Sequence, residues 1–576
     1  MTQKFWKPLA FVTALTLGAS GALADETRAP DVKSQVLAPR EIFRKTASAW
    51  SGDIFLLPRR NNTLVDPSVL DPAGWYPSTI KGEKLPPHPI NMHGVAWDYD
   101  LRIPLVFWDA RQQWFKPGRY NQLAVQQDIV PTLAAILDVP VPARKGGRVL
   151  RESLAKANAK KPKVIVIFVQ DQMGQQYLAA HPGKAPYYES LIRVGANYKN
   201  ASVAHVDVET SVGHAAVGSG TWPGEHGVAG NQFQHPGISR SVPVFMTQNG
   251  DDKSTRQFNP MLYFTPALSD VWTAATQGKG QILAVAPAGR AAISMGGHGA
   301  LFSGGVKTAV VWADFPGKSG EWSTEQVNYL LPKAFAGQSI EKWIRDHAKS
   351  SQSPDPYVWM GHPLLKKDGR MDATLAMATP AAASQQGELT IQAINELGIG
   401  RDEITDLVWI NTKSTDYCGH LFGYESDECG EVLSAADREA KRITDHLAGV
   451  AGEDVIVALT ADHGAAPLQE MSGGLRLSTA MLRQDLNTRF DRRQNHIDVV
   501  SGVTSSQIYV NRSELAANGF TMKDMVAFLK SYQASLSPAT NARAEAWIGK
   551  GRAARQRFFE DVVAAEDLSP ANRSKR

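Results

Sequence analysis

Residues Val164 to Val169 read VIVIFV, six apolar residues in succession that lead directly into Gln170-Asp171. A run with no polar alternation fits a strand covered on both faces, as in a parallel sheet sandwiched by helices. It argues against a sheet with one face in water. Similar short runs recur at Ile54 to Leu57, Ile103 to Trp108, Ile282 to Ala286, Ala309 to Trp312, Leu407 to Ile410 and Val455 to Leu459. Helical patterns fall between them at Ala185 to Val194, Thr324 to Ala334, Ile340 to Lys349, Ser434 to Leu447 and Met522 to Gln533. This alternation predicts an α/β fold, a three-layer sandwich with a central, mainly parallel sheet and helices on both faces.

With 576 residues and 43% hydrophobic content, the chain can bury a large core. Its net charge of +4 is small for that length. No basic footprint for a nucleic-acid duplex or a membrane surface is indicated. Lys4 and Lys7, an apolar run from Leu9 to Leu17 and Ala22-Leu23-Ala24 before Asp25 read as a signal peptide over residues 1–24. No later run is long enough for a membrane span. The expected mature chain, 25–576, is therefore periplasmic or secreted, and such a compartment permits a bridge between the two cysteines, Cys418 and Cys429, with a free buried thiol as the alternative. Residues 58–92 and 234–262 read as loops or insertions, Ala155 to Lys163 as a solvated linker, and the tail beyond Ala564 as frayed.

Chemistry concentrates at strand ends, where α/β sheets place their ligands. Asp171 follows the first run, although alone it could cap the next helix. Asp462-His463-Gly464 follows Val455 to Leu459. After Ile410, Asp416 and His420 stand four residues apart, on one face of a helical turn and within reach of one metal ion. Glu209 to Gly220 reads ETSVGHAAVGSG, and a hydroxyl opening a helix there meets free backbone N–H groups and the positive end of the dipole. Thr210 and Ser211 both qualify.

Taken in order, Asp171, Thr210-Ser211-Val212-Gly213-His214, Gly230-Asn231, Asp416-Tyr417-Cys418-Gly419-His420 and Asp462-His463-Gly464 resemble the signatures of the alkaline phosphatase superfamily. The resemblance is to its threonine-nucleophile branch, which holds calcium-independent bacterial alkaline phosphatases and nucleotide pyrophosphatase/phosphodiesterases. It implies Thr210 rather than Ser211 as nucleophile, and Asn231 as a donor to phosphate. The branch also has a metal-ligating histidine near its C-terminus in a pattern like HG-x-x-YD, which is absent after Asp462. A matching segment instead begins at His93-Gly94 and runs to Asp100, with Ser51 to Phe55 and Asp128 to Leu133 resembling its usual neighbours. The resemblance thus implies a circular permutation, residues 45–150 supplying what relatives carry last, 163–560 the remaining core, and cap insertions near 234–262 and 290–400.

Carried over residue by residue, Asp416, His420 and His93 would hold one Zn2+, and Asp171, Thr210, Asp462 and His463 a second. Thr210 would be phosphorylated by a small phosphate ester, and the phosphothreonine intermediate would then be hydrolysed. Relatives specialised for monoesters carry a Lys-x-Arg pair, matched here by Ala288-Gly289-Arg290, so Arg290 remains and one positive charge is missing. The expected activity is phosphomonoester hydrolysis, with phosphodiester or nucleotide pyrophosphate cleavage as the alternative. Lys413 is expected to be solvated, with replacement of the missing charge as the other reading. His214, His226 and His298 are expected to be structural, and Trp97, Trp108 and Trp222 to serve in packing.

Overall fold

The computed structural model describes residues 37–66, 74–142, 145–155, 160–234, 241–248, 252, 256–313, 320–348, 355–533 and 556–568. The expected signal peptide lies outside the described residues, as do parts of the 155–163 and 234–262 segments. The strands that matter here are β1 (Ile54–Pro58), β2 (Leu105–Asp109), β3 (Gly118–Val125), β4 (Val164–Gln170), β5 (Ala196–Ser202), β6 (Ile282–Val285), β7 (Thr308–Ala313), β8 (Asp406–Thr412), β9 (Val455–Ala461), β10 (Val500–Val503), β11 (Gln507–Val510) and β12 (Phe559–Ala564). The relevant helices are α1 (Ile129–Leu137), α2 (Thr210–Ser219), α3 (Gly289–Gly296), α4 (Pro380–Leu397), α5 (Ser414–Phe422) and α6 (Asp427–Ala451).

The central sheet runs in the order β7-β6-β8-β4-β9-β2-β5-β3, with the two-residue strand Trp322–Ser323 on the β7 edge. From β7 through β9 every pairing along that order is parallel. Only β2 runs against its neighbours β9 and β5, and Trp322–Ser323 against β7. Every residue of β4, β8 and β9 is buried, because the apolar runs that define them are covered on both sides. A second, four-stranded antiparallel sheet, β10-β11-β1-β12, has its own apolar core around Leu482, Val500, Ile508 and Leu529.

Most predicted strands hold to within one to three residues. Three expectations do not. Thr324 to Ala334 is not a helix: Tyr329–Leu330 pairs in parallel with β7, and Pro332 bars a helical Leu331. Residues 565–568 are docked, with Ala565 and Leu568 buried, and the rest of that tail lies outside the described residues. Within 290–400, expected as an insertion, β7 belongs to the central sheet and α4 packs along α6.

Ser426 opens α6, its hydroxyl accepting from Cys429 N, and α6 runs well beyond the predicted Ser434 to Leu447. Cys418 of α5 is joined to Cys429 of α6 by a disulfide, with Cα atoms 5.5 Å apart and 11 residues between them in sequence. A loop that short is worth about 3 kcal/mol in the chain-entropy account. The double variant Cys418→Ala/Cys429→Ala is expected to lose about 2–3 kcal/mol in denaturant unfolding. A change below about 0.5 kcal/mol would mean that the bridge does not constrain the fold.

Candidate active site

Register builds the site. β4 lies between β8 and β9, and Gln170 pairs with Thr412 on one side and Ala461 on the other. The next residues, Asp171, Lys413 and Asp462, therefore emerge side by side at the carboxyl edge. One turn into α5, Asp416 returns to the same point, its carboxylate 3.2 Å from His420 Nε2. His93 arrives by a different route. Because β2 is antiparallel to β9, pairing Leu105 with Thr460, the chain preceding β2 lies beside the end of β9. There Asp100 accepts from Gly94 N and Val95 N at 2.8 Å each, and Gly464 N donates to the Asp100 carbonyl. His93 Nε2 then stands 3.6 Å from Asp416, and its ring stacks on His463 at 3.8 Å.

Thr210 is the first residue of α2 and is 1% exposed. That helix is buried along its whole length, which its small residues make possible. A Cβ on Gly213 would lie 2.5 Å from the Asp462 carbonyl, and one on Gly218 would collide with Ser294. His214, in the same helix, donates from Nδ1 to the Thr210 carbonyl at 2.8 Å and stands 3.3 Å from Asp462. It thus borders the site as a positioning group. His226 and His298 are held elsewhere, the one by Val228 N and the other by Asp270 and Tyr263. Asn231 accepts from Ser211 N and Oγ at 3.1 and 2.6 Å, so it stands over the start of α2. Arg290 is the second residue of α3, and its buried Nε lacks a hydrogen-bond partner among the described residues.

Among the described residues, two groups have the spacing of metal ligands: His93, Asp416 and His463, and Asp171, Asp462 and His463. His463 is common to both groups, and His420 stands beside the first, its Nε2 3.2 Å from Asp416, its ring 5.1 Å from that of His93 and its Nδ1 directed to the Asn91 carbonyl. The residues fit cations. His463 Nε2 and Asp462 Oδ2, 3.3 Å apart and fully buried, have no hydrogen-bond partner among the described residues. Burial pushes the His463 imidazole down to about 3, leaving a neutral ligand nitrogen. Burial and the neighbouring Asp462 push the Asp171 carboxyl well up. The Asp416 and Asp462 carboxyls are held low despite burial, by Lys413 and His420 in the first case and by His463 and His214 in the second.

Lys413 is not solvated. Its side chain is 3% exposed, and its ammonium donates to Asp171 Oδ1 at 2.8 Å, to Thr210 Oγ1 at 2.9 Å and to Asp416. Those carboxylates outweigh burial and raise its pKa. Two other residues went unnoticed in the sequence. Asn411 donates from Nδ2 to Asp171 Oδ2 at 3.0 Å. Gln172, in the left-handed region at φ +64°, donates from its backbone to Asp462 and from its side chain to Asp416. It thereby ties the two ligand groups together. The Asp-Gln dipeptide after a buried strand was the only signal for it.

The fold and this carboxyl-edge pocket define a hydrolase of the alkaline phosphatase superfamily. The chain belongs to the type I phosphodiesterase/nucleotide pyrophosphatase family, whose model matches residues 165–567, and it is a phosphoric ester hydrolase. It is similar to alkaline phosphatase PafA of Elizabethkingia meningoseptica, 24% identical over 402 residues, which cover 64% of this chain and 73% of that protein. Alkaline phosphatase PhoV of Synechococcus elongatus is 24% identical over 363 residues, covering 58% of this chain and 64% of that protein. The solved structure of wild-type alkaline phosphatase PafA superposes with a TM-score of 0.54 at 20% identity, covering 71% of this chain and 85% of that one, which shows the shared fold.

A Cβ on Gly419 would collide with Gln172 Oε1. Gly419→Ala is expected to displace the Gln172 amide from Asp416 and weaken metal retention about 10-fold. Alanine is the better helix former by about 1 kcal/mol, so the fold should not lose stability. Unchanged metal affinity in a chelator competition would remove Gln172 from the ligand-positioning role.

Proposed function

We propose that this protein is an exported two-zinc hydrolase of phosphomonoesters acting through a phosphothreonine at Thr210. The observation that carries the reading is the position of Thr210 Oγ1 at a helix start, in the same buried pocket as both ligand groups. Asp416, His420 and His93 would hold one zinc, and Asp171, Thr210, Asp462 and His463 the other. Bound there, zinc supplies Lewis acidity for the attacking and leaving oxygens. Thr210 Oγ1 forms the bond to phosphorus while the ester P–O bond breaks, and the alcohol departs with the proton that Thr210 gives up. Water then cleaves the Thr210–phosphate bond, returns a proton to Thr210 and releases inorganic phosphate. Asn231, anchored by Ser211 through its carbonyl oxygen, would turn its amide N–H toward the phosphoryl group, and Arg290 would grip it with its guanidinium.

The chain is also read as a circular permutant. In support, His93 lies outside the 165–567 family match and still reaches Asp416 through the antiparallel β2. Export is supported by the Cys418–Cys429 disulfide, a bond kept in oxidising compartments. N-terminal sequencing of the exported chain, expected to begin at Asp25, tests this. Phosphodiester cleavage is the second reading, favoured by Ala288 at the start of α3, where a lysine is missing.

Thr210→Ala is expected to lower kcat for 4-nitrophenyl phosphate at least about 1,000-fold. Activity close to wild type, or no zinc by elemental analysis of the active enzyme, would reject the mechanism. His93→Ala is expected to retain about one zinc fewer per chain and to lose at least about 100-fold in kcat/KM. Full metal content in that variant would remove His93 from the site and the permutation with it.

A further inference from the structure

Lys413 makes three contacts with its three N–H donors, and their choice is informative. One goes to each ligand group, through Asp171 and Asp416, and the third goes to Thr210 Oγ1. A lysine serving only as a counter-ion for buried carboxylates has no need of the threonine oxygen. The stem explains why the head cannot wander. Lys413 directly follows β8, one position past the Thr412–Gln170 pair, and sits between the strand and α5 with its side chain 3% exposed.

Arg290 adds a second cation at the same place. It stands on α3, which packs against α2 with Thr210 at its start; its charge opposes that of Lys413, and its buried Nε has no acceptor among the described residues. Lys413 already faces two carboxylates, so the buried Nε of Arg290 is a donor left for an incoming anion. An oxygen attacking phosphorus approaches to about 3–3.5 Å before bonding. A donor 2.9 Å from Thr210 Oγ1 is then within reach of a non-bridging phosphoryl oxygen.

We propose that Lys413 is a substrate-binding residue that, together with Arg290, fits this site to the dianionic phosphoryl group of a monoester in preference to a singly charged diester. The proposal rests on Thr210 being the nucleophile. Lys413 keeps its proton throughout: it stabilises charge on the phosphoryl oxygens and transfers nothing. The positive charge missing at Ala288 is thus supplied from another strand end.

The test uses the zinc-loaded enzyme and Lys413→Met, with Lys413→Gln as a second variant that retains N–H donors for Asp171 and Asp416 should the first not fold. Three quantities are read: kcat/KM for 4-nitrophenyl phosphate, kcat/KM for bis(4-nitrophenyl) phosphate, and the affinity for inorganic phosphate by calorimetry, each at measured zinc content. The expected result is a loss of about 100-fold or more for the monoester, less than about 10-fold for the diester, weaker phosphate binding and unchanged zinc. Equal losses on both esters, undiminished phosphate affinity, or a loss explained by missing zinc would overturn it. Should the wild-type enzyme cleave neither ester, the nucleophile reading fails on its own, and phosphate affinity still decides whether Lys413 binds the anion.

Discussion

The structure depends on keeping three carboxylates together away from water. Asp171, Asp416 and Asp462 are each at most 2% exposed and share one pocket. Like charges in a medium of low dielectric repel strongly. Lys413 is the protein's own counterweight, bridging Asp171 and Asp416. Asp462 has His214 and His463 beside it, and it retains one buried oxygen with no hydrogen-bond partner. The arrangement therefore accepts cations readily, and this is also what a site needs when charge builds up on oxygen in a transition state.

Around that cluster, neighbouring groups fix its geometry. Gln172 couples Asp462 to Asp416, Asn411 holds Asp171, and the Val208 carbonyl accepts from His93 Nδ1 at 2.6 Å. Asn91 plays the same part for His420 through its carbonyl. Each imidazole that could bind a metal thus has its other nitrogen directed by a backbone oxygen, including His463, whose Nδ1 meets the Gly464 carbonyl. Such contacts fix ring orientation and leave Nε2 facing the pocket. Packing does the rest, with Gly213 and Gly218 letting α2 lie against Asp462 and α3.

Much of this was legible in the chain. The uninterrupted apolar runs marked β4, β8 and β9, because only strands covered on both faces can be apolar at every position. The residues that follow them announced a site. The sequence was misleading where local pattern competed with long-range pairing, as at Thr324 to Ala334, where β7 captures Tyr329. It was also misleading for Lys413, since a lysine beside a polar motif is ordinarily exposed.

By itself, the sequence determined which side chains stand at strand ends and helix starts, since period and capping are local properties of neighbouring residues. Tertiary structure alone decided the route by which His93 reaches Asp416, that His463 reaches both ligand groups, and that the Lys413 ammonium touches Thr210. Those outcomes follow from strand order, from the antiparallel run of β2 and from burial. Each is set by pairing between segments hundreds of residues apart, which no local pattern encodes.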